Sequence, residues 1–294
     1  MESDGLPFRQ PVTVRIRSIC MIQRCYPGGK RKAFNITYDD GIEQDVRFVA
    51  LMNQYGLKGT FNLNYQLMAE QFAWTHENGM TVRRLSLTAA RHLYDGHEIA
   101  SHTLTHPFMN ELSDEELYRQ IGEDKRCLEA FFGREVAGFG VPFDFYDERI
   151  AGCVQACGFE YGRNSEETRC YCPWEQPYHW RAGIFHLAPE LDNYVEGFFE
   201  TGEELALCQI VGHSYDLDVA DLWGKMEGIL RRVAADPHVA SMTHIELVRY
   251  LTAMSRAEIN ADSIANPTQI PLWFLCDGHP VCVNPCETWK TVQK

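Results

Sequence analysis

Thr37-Tyr38-Asp39-Asp40-Gly41 places two adjacent carboxylates at the end of Ala33 to Tyr38, an apolar, β-branched and aromatic stretch that predicts a short buried strand. Gly41 permits a sharp turn just beyond it. Asp-Asp-Gly is ordinary turn chemistry when taken alone, so the discrimination comes from His102-Thr-Leu-Thr-His106. Neighbouring carboxylates stay ionised together only beside a cation, and two histidines are natural partners to hold a divalent metal there. Pro107 disfavours helix at His106, and Thr103 and Thr105 are poor helix formers, so both histidines are expected on a loop. That loop leaves His97-Glu-Ile-Ala-Ser101, a second strand-like run. Two metal-capable loops that leave two strand carboxyl ends converge in a barrel-like parallel sheet.

Outward from these motifs, strand and helix patterns alternate. Val46, Val49, Ala50 and Met52 recur at helical spacing within Glu43 to Tyr55, and Lys58 to Leu63 returns to strand character. A helix is expected over Leu87 to Leu93, and Ser113-x-x-Glu116 is a capping box that opens another, running to Phe132. Val136 to Val141 predicts a strand, and Tyr146 to Cys157 a helix stopped by Gly158. Periodicity is lost from Arg163 to Pro177, which is expected as an excursion over the barrel mouth. Ile184 to Leu187 and Leu205 to Val211 read as strands, followed by helices over Asp221 to Ala235 and Ile245 to Met254. Such alternation implies right-handed parallel connections, hence an α/β barrel. Outside it, Val12 to Ile22 predicts a strand, and Ile270 to Leu275 with Val281 to Val283 flanks Asp277-Gly278, a strong hairpin signal. The expected division is an amino-terminal extension with one strand over 1–31, a barrel domain over 32–256, and a small β-appendage over 257–294.

With these residues in order, Thr37 to Gly41 resembles the first motif of the NodB-type polysaccharide deacetylases, carbohydrate esterase family 4, and Ser101 to Pro107 resembles their second. Gly140-Val-Pro142-Phe143-Asp144 matches the third in part, without its arginine. Tyr178-His179-Trp180-Arg181 stands at the fourth, and Ile210-Val-Gly-His213 matches the fifth. The resemblance implies a distorted (β/α)7-type barrel and removal of acetyl groups from a carbohydrate by a metal-activated water. By the family's pattern, Asp40 joins His102 and His106 as metal ligands, Asp39 is the base, His213 the acid, and the backbone N–H of Phe143 an oxyanion donor. Tyr38, Pro142, Trp180 and Arg181 are expected to bind substrate. The family's arginine at the Gly140 position would pair with the catalytic aspartate, and Arg181 is the expected substitute. Trp180 reads either as a core or pocket-wall aromatic or as a sugar-stacking platform. Two histidines and a carboxylate suit one zinc ion, although cobalt, manganese, nickel or ferrous iron fit the same set.

The 294 residues, 45% of them hydrophobic, can bury the core of one barrel-sized domain. A net charge of −14 argues against nucleic acid and other anionic polymers, and suits a small neutral or cationic acetylated sugar or oligosaccharide. No run approaches 18 apolar residues, and Met1 to Gln10 lacks the apolar core of a signal peptide, so a cytoplasmic protein without membrane contact is expected. Eleven cysteines are odd in number and are read mostly as reduced thiols, the spacing of Cys153, Cys157, Cys170 and Cys172 being a loose zinc signal. His97 and Glu98 read as structural, and His76, His92, His186, His238 and His244 show no clustering. The altered third and fourth motifs keep two other readings open: a hydrolase of the same fold that cuts a non-sugar amide, and a catalytically silent binding protein.

Overall fold

The computed structural model describes residues 21–69, 71–143, 145–173 and 176–290. Lys32–Asp39 is its central strand, and from Ala33 onward every residue of it is buried, as a parallel strand covered on both faces requires. Parallel strands run from it in the order Lys32–Asp39, Thr60–Leu63, Glu98–Ser101, Gly138–Gly140, Tyr161–Glu167 and Trp180–Ala182. On its other side lie Ala206–Gly212 and then Ile184–Phe185.

Only Gly183 separates Trp180–Ala182 from Ile184–Phe185. The first pairs with Tyr161–Glu167 and the second with Ala206–Gly212, so one segment joins both ends of the sheet and nearly closes it into the expected barrel. At that seam the backbones approach so closely that a Cβ on Gly183 would lie 2.2 Å from the Gln209 carbonyl oxygen. Helices Asp45–Gln54, Asp114–Phe132, Glu148–Ala156, Leu191–Glu200, Trp223–Ala235 and His244–Met254 alternate with the strands. The Ser113 hydroxyl caps the second of these by accepting from the Glu116 N–H, and Gly133 ends it in the left-handed region at φ 66°.

Several expectations need correction. The strand expected over Val12 to Ile22 lies mostly outside the described residues, and Ile22–Cys25 is the strand that follows. It pairs antiparallel with Leu272–Cys276, which forms the expected hairpin with His279–Val283 across Asp277 and Gly278, both at positive φ. The Tyr250 hydroxyl ties these strands to the last barrel helix, donating to the Cys25 carbonyl and accepting from the Trp273 N–H. Arg163 to Pro177 is only partly an excursion, because Tyr161–Glu167 is a barrel strand. Its Arg, Asn, Ser and Glu residues carry no apolar pattern, and pairing on both sides overrides that weak local preference. The helix expected over Leu87 to Leu93 is one turn, Leu87–Ala90. Elements not expected from the sequence include the helix Leu191–Glu200, the short strands Trp180–Ala182 and Val239–Ser241, and an antiparallel hairpin, Ala73–Thr75 with Thr81–Arg83, inserted after the second barrel strand.

The seam generates a stability prediction. Gly183→Ala should lower the melting temperature by several degrees, since overpacking of this kind costs roughly 1–3 kcal/mol. A thermal melt that matches the unaltered protein would mean the strand ends are not held as close as described.

Candidate active site

The strand that ends in Asp39 and the turn after it deliver both carboxylates to the barrel mouth. Asp40 takes φ 87°, an unfavourable conformation for a residue with a Cβ, which turns its side chain out of line with that of Asp39. A cavity of about 610 Å³ opens there, lined by Asp39, Asp40, His102, His106, Arg163 and His213 among others. Asp40, His102 and His106 place one ligand atom each within 4.8 Å of one another. No other such group of histidines, cysteines and carboxylates occurs among the described residues.

These three fit a metal chemically. His102 Nδ1 donates to the Gly140 carbonyl at 2.8 Å, which fixes the tautomer and leaves Nε2 for the cavity. Burial lowers His102 to about 4 and lowers His106 as well, so both are neutral and free to ligate near pH 7. Burial raises the Asp40 carboxyl, but the charge of Arg84, with that of His213, outweighs it and holds Asp40 well below the usual range. Its Oδ1 is a buried acceptor without a hydrogen-bond partner among the described residues. Arg84 Nη1 lies 2.9 Å from that oxygen as an ion pair, yet aims its hydrogens at the Asp40 carbonyl and at Asn64 Oδ1. An acceptor left open in this way suits a cation.

Asp39 has a different partner. Arg163 Nη2 lies 2.7 and 2.8 Å from its two carboxylate oxygens, and Asn62 donates to Oδ1 at 2.5 Å. Burial would raise this carboxyl; the Arg163 charge, with that of His213, more than offsets it and keeps it ionised. Arg163 is the register partner of Gly140 in the neighbouring strand, so the cation missing at position 140 arrives from one strand over. A side chain at 140 has no room, because its Cβ would lie 2.6 Å from Asn62 Cγ.

Arg181, the expected substitute, instead pairs with Glu166 at 3.1 Å. Trp180 is buried, donates to Gln209 Oε1 at 3.0 Å and does not line the cavity, so of its two readings it takes the core one. Pro142 does not line it either, although Val141 and Phe143 on either side do. Tyr38 is buried against Phe48, and its hydroxyl donates to His186 Nδ1 at 2.8 Å. His186, read as unclustered, thereby joins the site: its Nε2 donates to Asp216 Oδ2 at 3.0 Å, the same oxygen that accepts from His213 Nδ1 at 3.1 Å. Burial would lower His213, but the Asp216 hydrogen bond and the charges of Asp40 and Asp39 push it up to about 9. Glu98 hydrogen-bonds Tyr161, Thr60 and the Ile245 N–H away from the cavity, a structural role as expected.

Arg84, Arg163 and Asp216 were missed. Only Asp216 had a visible cue, three residues after His213. The inserted hairpin and the residue just after it supply Trp74 and Arg84 to the cavity from a part of the chain with no motif.

A nearly closed parallel barrel therefore carries an Asp-His-His group and a second aspartate at the carboxyl end of its strands, the face on which barrel enzymes build their active sites. Residues 27–162, a little under half of the chain, match the family model for polysaccharide deacetylase, in agreement with the resemblance of the motifs to the NodB-type polysaccharide deacetylases. The chitooligosaccharide deacetylase of Azorhizobium caulinodans is 33% identical over 84 residues, 28% of this chain and 39% of that one. Chitin deacetylase 2 of Cryptococcus neoformans is 28% identical over 126 residues, 40% of this chain and 28% of the other. The alignments span between 28% and 54% of the length of the curated relatives matched. A crystal structure from Mycobacterium smegmatis, solved as that of a candidate polysaccharide deacetylase, has 13% identity, covers 79% of this chain and 94% of that one, and has a TM-score of 0.56; the likeness is one of fold.

Elemental analysis of purified protein should find about one divalent ion per chain, and markedly less in His106→Ala, the more exposed of the two histidines. Equal metal content in the two proteins would remove His106 from the ligand set.

Proposed function

We propose that this chain removes acetyl groups, N- or O-linked, from a carbohydrate. The observation that carries the reading is the convergence of an ionised Asp39, the Asp40-His102-His106 group and an Asp216-bound His213 on one cavity. A divalent ion held by Asp40, His102 and His106, zinc by default, would supply Lewis acidity that brings a water's pKa to roughly 7.

The chain's own groups do the rest. Asp39, kept ionised by Arg163 and Asn62, accepts the proton of the attacking water at its carboxylate. The backbone N–H of Phe143, at the cavity lip, donates to the oxygen on which charge develops. His213 is protonated through Asp216 and gives its Nε2 proton to the departing nitrogen or oxygen. Once the acetyl group has left an N-acetyl sugar as acetate, the amine that remains on the sugar is a cation at neutral pH, which suits a chain with a net charge of −14. An acetate-release assay over N-acetyl and O-acetyl sugars, with a ring-opening assay on cyclic amides alongside, tests the reading; hydrolysis of the cyclic amides only, or of nothing, would refute it.

Asp39→Asn should lower turnover by roughly a hundredfold or more while the metal stays bound. Loss of metal in that variant would make Asp39 a ligand instead. An adjacent cation lowers a carboxyl by roughly one to three pKa units, so Arg163→Met should move the acidic limb of the rate profile to higher pH, with Arg181→Met leaving it in place. The opposite assignment of the two arginines would reverse that result. His213 must be protonated to act, and Asp216 raises its pKa, so Asp216→Asn should move the basic limb to lower pH. A basic limb indifferent to this change would take His213 out of the acid role.

A further inference from the structure

Asp45 is a buried acid that does not line the cavity, yet it is bonded to the turn that carries His213. The residue is 1% exposed, and hydroxyls occupy both its oxygens: Ser214 Oγ donates to Oδ1 at 2.6 Å and Tyr94 Oη to Oδ2 at 2.6 Å. Burial pushes its carboxyl up to about 6, while the Ser214 and Tyr94 bonds pull against that, so it is an ionised acceptor at pH 7. Its place as the first residue of the helix Asp45–Gln54, where the helix dipole favours negative charge, supports the same state.

Ser214 is fully buried, lies 169 positions from Asp45 and directly follows His213. The bond therefore ties the turn after Ala206–Gly212 to the start of the helix that follows Lys32–Asp39. Tyr94, the second donor, is itself fixed: its ring packs on Phe61 with centres 4.7 Å apart, and its carbonyl accepts from Arg134. His213 is less constrained. Among the described residues its ring has one side-chain hydrogen bond, from Nδ1 to Asp216 at 3.1 Å. Its aromatic neighbours, Tyr215 stacked at 5.2 Å and Phe185 edge-on at 5.9 Å, give no directed bond. A ring held at one nitrogen can swing about that bond unless the backbone beneath it is fixed.

We propose that Asp45 is a positioning residue for the acid: through the Ser214 hydroxyl it fixes the turn that carries His213, and so sets where Nε2 meets the departing nitrogen or oxygen. The proposal rests on the deacetylase reading, with His213 as the acid. Misplacing a reacting group by about 1 Å can cost roughly a hundredfold. A general acid as a whole contributes roughly 10²–10⁴, which bounds what the Asp45–Ser214 bond can supply.

Substrates that differ in leaving group separate the placing of an acid from general damage. The β-1,4-linked N-acetylglucosamine tetramer and the tetraacetate of methyl glucoside release an amine or an alcohol that must be protonated, whereas 4-nitrophenyl acetate releases a phenolate that departs unaided. With the metal-loaded protein, Ser214→Ala should lower kcat roughly tenfold on whichever sugar is cleaved, with KM within about twofold, and should lower it far less on 4-nitrophenyl acetate. In a His213→Ala background the same change should cost less than about twofold on that sugar. Asp45→Ala added to Ser214→Ala should take the rate no lower than the worse of the two single variants. If Asp45→Ala fails to fold, Ser214→Ala, which removes one oxygen, still decides the matter. Equal losses on sugar and nitrophenyl ester, or a full loss without His213, overturn the positioning role; so does a fall in bound metal, which would place the effect at Asp40. A sugar rate untouched by Ser214→Ala overturns it while leaving the deacetylase reading intact. A His213→Ala protein unimpaired on the sugar removes the acid, and the positioning role with it. Failure of the unaltered protein to release acetate from either sugar fails the deacetylase reading itself.

Discussion

Two carboxylates on consecutive residues, both buried, must be ionised at once, and the architecture of the barrel mouth follows from meeting that demand. Each acid has its own arginine: Arg163 for Asp39 and Arg84 for Asp40. Neither arginine is near its acid in sequence. One comes from the fifth strand in spatial order from Lys32–Asp39 and the other from the residue just after an inserted hairpin, so the closed sheet and the insertion both contribute to making the pair tolerable. The difference in partner geometry then separates their chemistry. Asp39 has both oxygens engaged by Arg163, whereas Asp40 keeps one oxygen open toward His102 and His106.

Four of the nine positive-φ residues other than glycine among the described residues sit at this site. Asp40, Thr103, His106 and Phe143 all adopt positive φ without being glycine, and all sit where a strand gives way to a loop at the mouth. Such conformations cost on the order of 1–3 kcal/mol each and persist only where surrounding bonds over-determine them. Those bonds are present: Asn64 holds the carbonyls of His102 and Thr103, Gln120 bonds the Thr105 backbone N–H and hydroxyl, and the Thr103 hydroxyl accepts from the His106 N–H.

What could be read in advance divides along one line. Asp39, Asp40, His102, His106 and His213 announce themselves because each sits in a short run whose local chemistry fixes its place at a strand end. The alternation that implies a barrel is legible for the same reason. Arg163 was invisible because its role depends on the register between two strands, and its own strand, Tyr161–Glu167, is polar enough to look like loop. Trp180 misled in the other direction. Its place within a familiar motif suggested the cavity, but closure of the barrel at Gly183 turns it into the interior against His244.

The arrangement at Gly140 has a consequence for how such sequences can change. Asn62 fills the space a side chain at 140 would need, and Arg163 occupies the charge partnership that an arginine there would take. Moving the cation back to position 140 by one substitution would clash with Asn62 and set two guanidinium groups on one aspartate. Removing Arg163 first would leave a buried aspartate without its counter-ion. Each single step is therefore worse than either end point, and the three positions form a ratchet that drift one residue at a time does not readily cross.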